Sequence, residues 1–108
     1  MLMKLKQIIC TICVFSLWAC GNASQEWADN EKKIDQLAKD GKLVEALALS
    51  KENTVLAKEE FGGKDIKVAR SLITMGSLQL LMGSPDYAEI TFGRALEMTQ
   101  KINEDWDP

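Results

Sequence analysis

A chain of 108 residues has room for one small domain, and with no histidine it lacks the imidazole on which much hydrolytic and zinc chemistry rests. Lys4 and Lys6 are the only charged residues before Cys20, so 11 of the 13 basic residues and all 16 acidic ones follow it, turning an overall −3 into −5. A domain that acidic is repelled by nucleic acid and by anionic lipid, so neither is expected as its partner.

The chain opens with those two lysines and then a short, uncharged and mostly apolar run, Ile8–Trp18. A stable membrane span needs about 20 residues, nearly twice that length, so this run reads as an export signal, a positive start followed by a short apolar stretch. Leu17-Trp18-Ala19-Cys20 resembles the lipobox of bacterial lipoproteins, with an aliphatic residue three before the cysteine and a small one just before it. The resemblance implies cleavage before Cys20 and a diacylglyceryl group on its sulfur, with further fatty acylation of the freed amine. Two or three chains give a stable anchor, where one gives marginal binding. The expected division is therefore a signal over 1–19, the lipidated cysteine and a short tether over 20–25, and a folded domain over 26–108. Cys10 and Cys13 leave with the signal, so their C-x-x-C spacing carries no redox or metal function. Gly21, rather than Asp, follows the cysteine. By the same resemblance this favours an outer membrane facing the periplasm in a two-membrane host, and otherwise the outer face of the plasma membrane.

Beyond the tether the chain reads as helix. Apolar residues at spacings of three and four predict a first helix from about Ser24 to Asp40, a second over Leu43–Phe61, a third from about Asp65 to Met82 and a fourth from Pro85 to about Ile102. Gly41, Gly62 and Gly83 stand where helices end in a left-handed turn. Ser84-Pro85-Asp86 is a strong helix start, with a cap, a proline in the first turn and an acid on the dipole. Turns this short fold neighbouring helices into antiparallel hairpins. One constant offset relates the two hairpins: Gly41 aligns with Gly83, Ala46 with Ala88 and Leu56 with Met98. A repeated two-helix unit marks an α-solenoid.

Phe61-Gly62, Val68-Ala69, Leu72, Met75-Gly76, Gly83, Ala88, Phe92 and Ala95-Leu96 together resemble the tetratricopeptide repeat family in its kinesin-light-chain-like form, whose period equals the offset from Gly41 to Gly83. The first unit matches at Gly41, Glu45-Ala46 and Leu49, and the resemblance covers about residues 27–108. It departs at Ser50, Asn53, Gln79 and Pro85. The implied fold is all-α, a solenoid of two antiparallel hairpins in which Gly76 admits a close neighbour and Phe92 packs between helices. The family lines a concave groove with the first helix of each hairpin. Carried over, that places Arg70, Ile73, Ser77 and Leu80 in the groove, with Glu31, Asp35 and Ala38 from the first helix.

No catalytic, cofactor-binding or metal-binding residue stands out. Once Cys20 is lipidated the chain has no Ser/His or Cys/His pair. The acid groupings Asp29 with Glu31, Glu59-Glu60, and Glu104-Asp105 with Asp107 read as solvated surface, and the last lacks the glycine and spacing of a calcium loop. The resulting expectation is a non-catalytic envelope lipoprotein that offers a helical scaffold to protein partners, needs no cofactor and is held to the membrane through Cys20. Two other readings stay open: an accessory subunit whose helices are buried in a larger envelope complex, and an enzyme using carboxylates. The fourth helix carries Tyr87, Ile90, Phe92, Leu96 and Met98 on more than one side. This predicts either self-association through the third and fourth helices or a piece of a longer repeat protein.

Overall fold

In a computed structural model, residues 22–105 are described. The expected signal, Cys20 and Asp107 lie outside them. The fold is all-α, with no strand among the described residues. Helix α1 covers 22–39, α2 Leu43–Phe61, α3 Ile66–Leu81 and α4 Pro85–Asp105. No helix among them is long and apolar enough to cross a membrane.

Helix α1 reaches further back than expected, so Asn22–Ser24 are helical rather than tether. The reason is Ala23, buried one turn before Trp27, which extends the apolar stripe of Trp27 and Ile34 toward the N-terminus. At the other end α4 continues past Ile102 to Asp105.

The two turns are near copies. The N–H of Gly41 bonds to the Ala38 carbonyl at 3.1 Å and that of Lys42 to Leu37 at 2.9 Å; at the matching place in the second hairpin, Gly83 bonds to Leu80 at 3.0 Å and Ser84 to Gln79 at 2.9 Å. This is the helix-ending motif that needs a left-handed residue, and Gly41 and Gly83 sit at φ 79° and 80°. The link from α2 to α3 is pinned differently. Asp65 caps α3 by accepting from the Lys67 N–H at 2.8 Å, and the Lys67 ammonium lies 4.5 Å from the centre of the Phe61 ring.

Helix α3 packs against both α2 and α4. Trp27, Ala57, Val68, Leu72 and Ala95 form one buried cluster, and Ile34, Ala46 and Leu78 form a second. Ala46 and Ala88, which hold the same position in the two hairpins, are both fully buried.

At the departures from the repeat pattern, the hairpins fill one design from opposite sides. In the second hairpin Phe92 of α4 lies over Gly76 of α3, where a Cβ would come within 2.8 Å of the ring. In the first, the equivalent positions are Ser50 on α2 and Ile34 on α1, both 1% exposed. The large residue stands on the other helix, and both positions are sealed from solvent. A second exchange concerns Gln79 and Thr91, whose side chains meet at 2.7 Å. Their equivalents, Leu37 and Leu49, both pack on the Ile34 cluster. A polar pair in one hairpin thus replaces an apolar pair in the other.

Candidate functional site

The third departure builds the site. Asn53 is fully buried where the second hairpin has Ala95. Its amide nitrogen donates to the Trp27 carbonyl at 3.2 Å and to Glu31 Oε1 at 3.0 Å, and its oxygen accepts from Asn30 Nδ2 at 3.0 Å. Trp27 Nε1 donates to Ser71 Oγ at 2.7 Å, and that hydroxyl turns toward Glu31 Oε1 at 3.5 Å. The Thr74 hydroxyl reaches Glu31 Oε2 at 3.0 Å. One carboxylate on α1 is therefore held by donors from α2 and α3. A buried amide is costly unless satisfied, and here each donor and acceptor of Asn53 has a partner. The Ser50 hydroxyl nearby is buried without one.

Above this network α1 and α3 enclose two adjoining hollows of about 550 and about 320 Å³. They share Glu31, Ile73 and Thr74, so they form one continuous groove. Trp27, Lys32 and Arg70 line one end, and Ile34, Asp35, Ala38, Ser77 and Leu81 the other. The helical spacing from Arg70 to Ile73, Thr74 and Ser77 puts all four on one face of α3.

Of the residues expected in the groove, Arg70, Ile73 and Ser77 line it, as do Glu31, Asp35 and Ala38. Leu80 does not: it is half exposed and lies outside both hollows, while Leu81 takes a place there. Ile73 is 47% exposed, so core packing does not account for it. The Ser77 hydroxyl is turned onto its own helix, 2.8 Å from the Ile73 carbonyl. Arg70 sits over the Trp27 ring at 5.8 Å, and among the described residues none of the ion pairs involves it. Its guanidinium keeps donors available to a ligand.

The acid groupings singled out in the sequence stand apart in the fold. Asp29 and Glu31 diverge, as residues two apart on a helix do: Asp29 is exposed and accepts from Gln25 at 2.9 Å, while Glu31 holds the network. Glu59 and Glu60 are exposed on α2. No group of three or more acids, histidines or cysteines among the described residues converges on a point where a metal would sit. Periodicity alone did not expose the Asn53–Glu31 network. The available signal was a polar residue at a position whose repeat partner is a core alanine.

No family model, curated protein or solved structure matches the chain.

Proposed function

We propose that this chain is a non-catalytic lipoprotein of the cell envelope, anchored through Cys20, that presents a tetratricopeptide-like scaffold to a protein partner along the α1–α3 groove. The observation that carries the reading is a groove whose walls are locked from beneath by Glu31 while Arg70 and Ile73 stay exposed within it. Rigid walls reduce the entropy that binding would cost, and an exposed arginine beside an aromatic and an aliphatic residue has the composition of an interface anchor. The repeat of turns and buried alanines from one hairpin to the next supports the family likeness.

Two experiments test the proposal. Labelled fatty acid enters the wild-type protein, and Cys20→Ser abolishes that labelling and leaves an uncleaved precursor; a mutant processed and released like the wild type refutes the anchor. Arg70→Glu weakens capture of the envelope partner and leaves helicity unchanged, because an exposed charge reversal costs within about ±0.5 kcal/mol of stability. A large loss of thermal stability instead assigns Arg70 a structural role.

A further inference from the structure

The two ends of the helical stack differ in kind. Within the chain α3 covers α2, using Val68, Leu72 and Leu78 in the buried clusters, with Ser71 and Met75 beside them. The positions on α1 that correspond to Val68, Ser71, Met75 and Leu78 are Glu26, Asp29, Lys33 and Gln36, all exposed. That outer face is polar, so α1 of another copy cannot cover α4 as α3 covers α2. Head-to-tail stacking of copies is thereby disfavoured.

The opposite end is open. Thr54 of α2 is 4% exposed, but its counterpart on α4, Leu96, is 60% exposed, because no described helix follows α4. On the same stripe, one turn back, stands Gly93. It lies within a helix with nothing within 4 Å of where its Cβ would be, so nothing among the described residues requires a glycine there. A mid-helix glycine is less favourable than alanine. Glu89, Gly93, Leu96 and Gln100 repeat at spacings of four, three and four, the register of one helix packing along another.

We infer that α4 pairs antiparallel with α4 of a second copy, about a two-fold axis passing between Arg94 and Ala95. That register is self-complementary, as an isologous contact must be. It sets Leu96 over the second copy's Gly93, and Glu89 beside the amide of the second copy's Gln100. A parallel pairing would instead oppose Glu89 to Glu89 and leave glycine facing glycine. The antiparallel contact closes after two copies, which agrees with the polar face at the far end.

Cross-linking in cells tests it with the full chain. Glu89→Cys and Gln100→Cys, which face each other in the antiparallel register but stand eleven residues from their own counterparts, are made singly, in differently tagged copies that are co-expressed and treated with a short bis-maleimide. A chain with no added cysteine corrects for Cys10, Cys13 and Cys20. The mixed pair links about tenfold above either variant with itself, the contrast that ~1.4 kcal/mol brings. Tyr87→Cys, exposed on another side of α4, stays at background. Adding Leu96→Glu to the Glu89→Cys chain, to be paired with Gln100→Cys, halves the yield or better, since one of the two symmetric Leu96–Gly93 contacts then meets a carboxylate. Equal self-linking at 89 or 100 establishes a parallel contact and overturns the inference. Mixed linking no higher than background overturns it too, and shows that a different protein or further chain covers the face.

Discussion

The two hairpins share one backbone plan and fill it with different chemistry. In the second, bulk comes from α4 as Phe92 over Gly76. In the first, it comes from α1 as Ile34, with the small Ser50 at the position of Phe92. Gln79 and Thr91 bond where Leu37 and Leu49 pack, and Asn53 sits where Ala95 does. The contrast teaches that a repeat keeps the volume and closure of a hairpin rather than the residue at a position. A departure at one position is intelligible only with its partner across the helix pair.

The sharpest way to break the comparison is to move the bulk. Gly76→Ile alone overpacks against Phe92 and costs about 1–3 kcal/mol. Phe92→Ser alone leaves a cavity and costs about 2–4 kcal/mol, below the value for a fully buried ring because Phe92 is only partly covered. The double variant imports the pair found in the first hairpin and recovers more than half the combined loss, read as a coupling in chemical denaturation. Additive losses would show that the hairpins are not interchangeable in this way.

Next in size is the buried amide. Asn53→Ala installs the residue of the second hairpin but strands Asn30 and the Trp27 and Glu31 acceptors, at a cost of about 1–3 kcal/mol. A neutral result would mean that water satisfies the network equally well. Smaller still is Gln79→Leu with Thr91→Leu. Replacing both members of a hydrogen-bonded pair by apolar groups is near neutral, so the melting midpoint should fall within the shift that about 1 kcal/mol produces. A loss well beyond that would give the polar pair a structural role of its own.

The smallest effect belongs to Lys39. Its ammonium bonds to Asp35 at 2.8 Å, and that hydrogen bond, then the carboxylate charge, raises its pKa above 10.5. A raised lysine stabilises the fold below its unfolded pKa, and the contribution is lost as pH rises through the folded value, so it fades only in alkali. The pair is exposed and screened, so Lys39→Met leaves the midpoint at neutral pH unchanged. With no histidine in the chain, the midpoint is also flat between about pH 6 and 8. A step in that interval would reveal a further titrating group.

Much of this arrangement was legible in the residues. Gly41 and Gly83 marked the turns because only a left-handed residue closes them, and the apolar spacing placed α2 at its observed limits. The offset between the hairpins put Arg70, Ile73 and Ser77 on the groove face. Other features were hidden for physical reasons. Ala23 is too small to signal burial on its own, so the start of α1 was set too late. The spacing of residues along one helix cannot tell which carboxylate a neighbouring helix will bond, so Glu31 looked like surface. Leu80 follows the expected groove stripe of α3, yet Leu81, about 100° further round the helix, is the residue that lines the hollow at that level.

The central claim is that partners meet the α1–α3 face, and a photo-reactive residue tests it directly. Placed at Ile73 in the groove and, separately, at Val55 on α2, it is activated in living cells and the adducts are compared. The account predicts a discrete adduct from position 73, lost when Arg70→Glu is added, and none from position 55. An adduct of equal strength from Val55, or one from Ile73 indifferent to Arg70→Glu, would contradict it.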